Sequence, residues 1–131
     1  MKKGFKTLLA EANEVVVTYT PAEAQVLLSD ESVIFVDIRD APELERDGQI
    51  PGAVHASRGM LEFLVDPDSP YHNPVFASGK KFLLYCASGG RSALAARQVQ
   101  EMGLSSVAHI GGGLKAWKES SGTVANFQQA G

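Results

Sequence analysis

With 131 residues, a formal charge of −3 and a pI near 5.6, the chain is expected to form one domain with a modest but adequate core. No basic run is longer than Lys80-Lys81, which argues against nucleic acid or an anionic membrane as partner. A single cysteine, Cys86, forbids an internal disulfide, fits a reducing, cytoplasmic setting and leaves no resolving thiol for exchange within the chain.

From the N-terminus, Met1 to Ala10 opens on a basic stretch whose apolar part stops at Glu11, too short for a signal-peptide core or a membrane span. Leu8, Leu9 and Ala12 at helical spacing predict a short packing helix over Lys6 to Asn13. The β-branched run Val15-Val16-Val17 predicts a first strand. Thr20-Pro21-Ala22-Glu23 then reads as an N-cap, a first-turn proline and an acid opening a helix to about Leu28. Val33 to Val36, ending in Asp37, fits a strand buried on both faces. A short helix follows over Ala41 to Arg46, stopped near Gly48, and Ile50-Pro51-Gly52 turns the chain into a third strand over Ala53 to Ala56. Leu61 to Leu64 adds a helical turn or two. Pro67, Pro70 and Pro74, half the prolines of the chain, rule out regular helix or central strand in a segment that also carries Tyr71, His72 and Phe76.

The next strand, Lys81 to Tyr85, delivers Cys86 to a loop, Ala87-Ser88-Gly89-Gly90-Arg91-Ser92, ahead of a helix from Ala93 to Met102. That helix ends at Gly103, with Leu104 placed for a Schellman-type contact. Val107 to Ile110 is a last strand, and Leu114 to about Ser120 a last helix with Leu114 and Trp117 on one face. From Thr123 the sequence reads as a loose tail. The domain boundaries expected are an N-terminal helical extension over 1–14, the main domain over 15–121 and a tail over 122–131. Strands alternating with helices imply a parallel sheet wrapped by helices through right-handed crossovers.

Cys86 thus falls where a strand becomes a helix, the position at which open α/β sheets bind ligands and a helix start offers unpaired N–H groups. Two glycines permit backbone angles closed to other residues, so the amides of Ala87 to Arg91 can curl inward as an anion-holding nest around the sulfur. A free thiol titrates near ~8.5, so thiolate at neutral pH needs about 2.7 kcal/mol of help. A helix start supplies ~0.3–2 kcal/mol and a hydrogen bond to a charged group ~1.5–3 kcal/mol, so the dipole with one or two loop amides suffices. A cysteine used merely as a small buried hydrophobe needs neither the glycines nor the cation that follow it here.

Four motifs in order carry a resemblance. Val36-Asp37-Ile38-Arg39 is similar to an Asp-x-Arg segment, and Gly48-Gln49-Ile50-Pro51-Gly52-Ala53 to a Gly-His-Ile-Pro-Gly-Ala turn with Gln49 in place of His. Cys86-Ala87-Ser88-Gly89-Gly90-Arg91 matches a Cys-x-x-Gly-x-Arg loop, and Gly111 to Trp117 resembles a closing Gly-Gly…Trp segment. The chain resembles the single-domain rhodanese-like sulfurtransferases over roughly residues 15 to 120. The resemblance implies an α/β, rhodanese-like fold with a central parallel sheet of about five strands flanked by helices on both faces. It implies that Cys86 accepts a sulfane sulfur as a persulfide from a small sulfur-containing anion such as thiosulfate. A thiol, cyanide or protein acceptor then takes that sulfur, with no cofactor or metal required.

For substrate binding the candidates are Ala87, Ser88, Gly89, Gly90, Arg91 and Ser92 of the loop, with Arg58 after the third strand as a second donor-recognising cation. Arg91 fits two roles, clamping an anionic donor or holding the loop from the helix start. Asp37 and Arg39 read as an ion pair or loop hydrogen bonds near the site, and Ser92 as a partner of sulfur or a local helix-start residue. His55, His72 and His109 lack ligand spacing and read as structural. Gly111 to Ala116 has the formal Gly-x-Gly-x-x-Ala pattern of dinucleotide binding, but only fifteen residues follow Ala116, too few for the strand and acid that such a site needs. Two other functions stay open: a non-catalytic binding or redox-sensing module, and a cysteine phosphatase or arsenate reductase. The latter families use Cys-x5-Arg, whereas the spacing here is Cys-x4-Arg.

Overall fold

A computed structural model describes residues 1–104 and 106–127. In chain order the elements are α1 (Phe5–Val15), β1 (Val17–Tyr19), α2 (Pro21–Val26), β2 (Val33–Asp37), α3 (Ala41–Asp47) and β3 (Val54–His55). A 3-10 turn (Arg58–Met60), α4 (Leu61–Val65) and a second 3-10 turn (Pro74–Ala77) lead into β4 (Lys81–Tyr85), α5 (Gly90–Met102), β5 (Val107–Ile110) and α6 (Gly113–Glu119). The five strands form one sheet in the order β1-β5-β4-β2-β3, every pairing parallel. β4 is therefore the central strand, and the residue after it leaves the sheet at the middle of its carboxyl edge.

Alternation along β4 sorts the core into two layers. Phe82, Leu84 and Cys86 face one side, packed with Ala95, Ala96 and Val99 of α5 and with Leu61 and Val65 of α4. Leu83 and Tyr85 face the other, packed with Ala24 of α2 and Leu114 and Trp117 of α6. A parallel strand needs apolar residues on both faces for this reason, and Phe82 to Tyr85 are all buried.

Local chemistry sets the helix starts. Thr20 Oγ1 accepts from the Glu23 amide at 3.2 Å while Glu23 Oε1 accepts from the Thr20 amide at 2.9 Å, a reciprocal cap with Pro21 in the first turn. At the end of α5, Gly103 adopts φ +111 and the Leu104 amide reaches back to Val99 O at 3.0 Å, the expected Schellman closure.

Two expectations need correction. The Val15 to Val17 run is split: Val15 ends α1, Val16 turns its side chain into the core, and only Val17 enters β1. β-branched residues favour a strand, but the Val16 amide still bonds Ala12 O at 2.9 Å, so the α1 ladder continues to this point. The segment after Thr123 is not loose. Trp117 Nε1 donates to Thr123 O at 2.8 Å, and Ala125 pairs with Gln49 in an isolated antiparallel bridge of 2.8 and 2.9 Å bonds. The buried indole, edge-on to Phe35, needs an acceptor for its N–H, and the chain after α6 provides it. The remainder of the expected tail, 128–131, lies outside the described residues.

Candidate active site

Cys86 is 1% exposed, at the junction of β4 and the loop that opens α5. Its Sγ accepts from the Gly89 amide at 3.1 Å and the Ser92 amide at 3.4 Å, and lies 3.5 Å from Ser92 Oγ. Of the amides of Ala87 to Arg91 expected around the sulfur, that of Gly89 is the one bonded to it among the described residues, and Ser92 lies just beyond that run. Among the described residues, Gly89 and Ser92, at the start of α5, supply the amides that bond sulfur.

Only one of the two adjacent glycines is conformationally required. Gly89 sits at φ +102, and a Cβ there would lie 3.0 Å from the Gly112 amide nitrogen; Gly90 is already helical, with Leu9 Cδ2 at 4.0 Å as the nearest atom to its imagined Cβ.

The loop carbonyls are turned the other way. Leu114 N donates to Cys86 O at 2.8 Å and Lys115 N to Ala87 O at 3.0 Å. These are first-turn amides of α6, unpaired within the helix and free to bond another segment. The Gly111-Gly112-Gly113 turn brings α6 this close, which explains a glycine run that no dinucleotide site needs.

Arg91 is held by a carboxylate. Its Nη1 and Nη2 donate to Glu43 Oε1 and Oε2 at 2.8 and 2.9 Å, a bidentate pair joining the start of α5 to the first turn of α3. The Arg91 guanidinium, with the Asp40 amide, holds the Glu43 carboxyl down at about 2 despite partial burial, and Glu43 in turn raises Arg91. Glu43 was not singled out from the sequence; its only signal was a first-turn position in a capping box with Asp40. Arg58 is placed after β3 as expected, but its Nη1 pairs with Glu62 at 2.7 Å, and no described hydrogen bond or ion pair joins it to residues 86–92.

Asp37 and Arg39 form the anticipated pair, both 0% exposed. Arg39 Nε and Nη2 donate to the two Asp37 oxygens at 3.0 and 2.7 Å, and Nη2 also donates to Gly48 O at 2.7 Å. Beside them Tyr85 OH accepts from the Ile50 amide at 3.0 Å, and burial pushes its ionisation up.

His109, which reads as structural from the sequence, is joined to the loop through Ser92. Ser92 Oγ lies 2.9 Å from His109 Nδ1, and His109 Nε2 lies 3.0 Å from Thr18 Oγ1. Burial lowers the His109 pKa. The signal available was strand parity, since His109 is two residues before Gly111 on the strand adjacent to β4, facing the layer that holds Cys86 and α5. His55 and His72 do bond backbone carbonyls, of Arg39 and Leu64.

An open cleft of about 450 Å³ lies along the loop, lined by Ser88, Gly89 and Gly90 with Thr18, His109 and α1. A smaller one of about 240 Å³ lies on its other side, at Ala87, Arg39 and Lys115. The proline-rich segment borders a different cavity, of about 410 Å³, with Met102 to Leu104 at the far end of α5 from Cys86. Among the described residues no group of three or more His, Cys, Asp or Glu is arranged to hold a metal, and no helix is long and apolar enough to cross a membrane.

The rhodanese-like domain family matches residues 20–120. The chain belongs to this family. The rhodanese-like chain is 50% identical to protein RPA3614 of Rhodopseudomonas palustris, described as of unknown function and a possible tyrosine phosphatase; the structures agree with a TM-score of 0.93 over 95% of this chain and 96% of that one. It is 25% identical to the polysulfide-sulfur transferase of Wolinella succinogenes, a homodimer, with a TM-score of 0.70 over 96% and 90% of the two chains. The candidate sulfurtransferase YtwF of Bacillus subtilis is 29% identical over 99 residues, 76% of this chain and 86% of that protein. Two further curated relatives are matched over 58% of their own length, so the chain spans little more than half of them.

Proposed function

We propose that this rhodanese-like protein is a sulfurtransferase in which Cys86 carries the sulfur. The observation that carries the reading is the orientation of the loop: two amides and a serine hydroxyl converge on Sγ, while the carbonyls of Cys86 and Ala87 are occupied by α6. Such an arrangement stabilises negative charge on the sulfur before and after it is loaded, as an oxyanion hole does for oxygen. The sulfur-transfer names of the Wolinella and Bacillus relatives point the same way.

In the first step the Cys86 thiolate attacks the outer sulfur of a donor such as thiosulfate. A Cys86–sulfur bond forms, the donor's S–S bond breaks, and sulfite leaves with the electron pair. In the second, cyanide, a thiol or a protein acceptor attacks the outer sulfur of the persulfide and the thiolate departs. Two displacements through a covalent intermediate give ping-pong kinetics. Arg91, with Glu43 fixing its plane, offers its remaining N–H groups to the anionic donor. Arg58 has the weaker claim to that role because no described hydrogen bond or ion pair joins it to residues 86–92, whereas Arg91 belongs to the loop itself.

The phosphatase description of the 50% identical relative makes a second reading worth testing. Against it stand the four residues between Cys86 and Arg91, which make a smaller ring than a tetrahedral oxyanion takes in the Cys-x5-Arg families. Assay of one preparation for thiocyanate from thiosulfate and cyanide, and for phosphate release from an aryl phosphate, separates the two. Thiocyanate production lost in Cys86→Ser is expected; aryl-phosphate turnover lost in that variant, without thiocyanate, would establish the phosphatase instead.

A further inference from the structure

Cys86, Ser92, His109 and Thr18 form a chain of polar side chains that runs from the interior to the surface. Cys86 and Ser92 are 1% and 0% exposed, His109 is 3% exposed, and Thr18 is exposed at the rim of the 450 Å³ cleft. The links are 3.5 Å from Sγ to Ser92 Oγ, 2.9 Å on to His109 Nδ1, and 3.0 Å from Nε2 to Thr18 Oγ1. Three elements contribute besides the loop: α5, β5 and β1, the last pair in register at Thr18 and His109. Buried polar groups of this kind need partners, but satisfaction alone does not require that every link be able both to give and to receive a proton.

We propose that Ser92, His109 and Thr18 are a proton path for Cys86, with His109 as a positioning residue that reverses its neutral tautomer as the sulfur changes charge. The proposal rests on Cys86 being the reacting thiol. With the thiol present, S–H donates to Ser92 Oγ, Ser92 O–H donates to His109 Nδ1, and His109 Nε2–H donates to Thr18 Oγ1. On deprotonation the thiol proton passes to Ser92, the Ser92 proton to Nδ1, the Nε2 proton to Thr18, and the Thr18 hydroxyl proton to water in the cleft. One proton enters the chain, one leaves, and the sulfur keeps its electron pair. Every bond in the chain now points inward, so that Ser92 donates to the thiolate. Without His109, the Ser92 hydroxyl has the Gly89 carbonyl, 3.3 Å away, as its alternative acceptor.

Among the described residues, the surroundings leave His109 no charged partner that would fix one tautomer or hold it as imidazolium. Across the cleft α1 presents Leu9 and Asn13. Lys6 and Glu14 of α1 are exposed, and Glu11 pairs with Lys3 and Arg97. On α5, Arg91 pairs with Glu43, and Arg97 with Glu11 and Glu101. From the flanking strands come Leu84 beside His109 in β4, and Tyr19 and Lys81, which bond each other. Cys86 is the titratable group that the chain reaches. Burial, which disfavours the imidazolium, keeps the relay in its neutral forms.

Nitrogen-15 NMR of the folded protein tests this directly, because the two neutral tautomers and the imidazolium have different nitrogen shifts. His109 signals are assigned by their loss in His109→Phe. As pH is raised through Cys86 deprotonation, followed at its β-carbon, wild-type His109 is expected to pass from Nε2–H to Nδ1–H, while in Cys86→Ala and in Ser92→Ala it does not follow. A His109 that keeps one tautomer throughout, or that changes identically in Cys86→Ala, would overturn the proposal.

The pH profile of Cys86 alkylation by iodoacetamide gives a second readout. Ser92→Ala and His109→Phe are each expected to move its midpoint up by about one pH unit, a tenfold slower reaction on the rising limb, with no further shift in the double variant. A purely structural His109 would lower the melting temperature and leave that midpoint in place. Neither experiment uses a sulfur donor, so failure of the relay is distinguishable from failure of sulfur transfer.

Discussion

Gly113 stands against Cys86 so closely that a Cβ built on it would lie 2.5 Å from the Cys86 carbonyl oxygen, with the Ala87 carbonyl carbon at 2.7 Å. Its φ of +59 is itself unfavourable for a side chain. The closing glycine motif and the cysteine loop, far apart in sequence, are therefore one construction: α6 can cap the loop carbonyls only where no side chain intervenes. Gly113→Ala is expected to force the loop or α6 outward at a cost of roughly 1–3 kcal/mol. Urea unfolding should show that loss, and sulfur loading from thiosulfate should fall with it.

The two loop glycines are expected to behave differently. Gly89→Ala places a methyl group against the Gly112 amide in a backbone conformation closed to alanine, whereas Gly90→Ala adds one in ordinary contact on a helix. Persulfide retained after gel filtration should drop sharply in the first variant and match wild type in the second. Equal retention in both would mean that the Gly89 amide does not hold the sulfur.

Removing one member of the buried pair should be costly. Arg39→Met leaves the Asp37 carboxylate buried without its guanidinium, a change that typically destabilises by about 3–5 kcal/mol. Because Arg39 also ties Gly48 O to the end of β2, chemical denaturation is the appropriate measurement. A loss below 1 kcal/mol would show that the pair is dispensable.

The Arg91–Glu43 pair has a defined pH signature. Glu43 is held at about 2 in the fold against an ordinary value of 4.5, a depressed carboxyl, so its contribution is complete above 4.5 and lost as pH falls towards 2. The pair is partly exposed, so that contribution is expected to stay below about 1 kcal/mol. Glu43→Gln should be slightly less stable than wild type at pH 6, and the difference should vanish near pH 2. At neutral pH the freed Arg91 should raise the KM for thiosulfate several-fold while sulfur loading at saturating donor is retained; an unchanged KM would remove Arg91 from donor recognition.

Much of this was legible along the chain. Short apolar runs such as Val33 to Val36 and Phe82 to Tyr85, alternating with helix signals, give the parallel α/β fold directly, and the glycine-rich turn after Cys86 marks the loop. What the residues near one another in sequence could not reveal was which distant groups meet. Glu43 and Arg91 are 48 positions apart and Ser92 and Thr18 lie on separate elements, so neither connection leaves a local pattern. The Val15 to Val17 run misled because β propensity competes with a helix whose last turns are packed on α5. The segment after Thr123 looked loose because its anchors, the Trp117 indole and Gln49, are tertiary.

The central claim is that Cys86 carries a transferable sulfur, and intact mass spectrometry tests it most directly. Protein is weighed after incubation with thiosulfate, then again after cyanide, with Cys86→Ser treated in parallel. The account predicts a gain of one sulfur atom in the wild type, its loss to cyanide with thiocyanate appearing, and neither change in the variant. Sulfur uptake that persists in Cys86→Ser, or none in the wild type from thiosulfate or polysulfide, would contradict it.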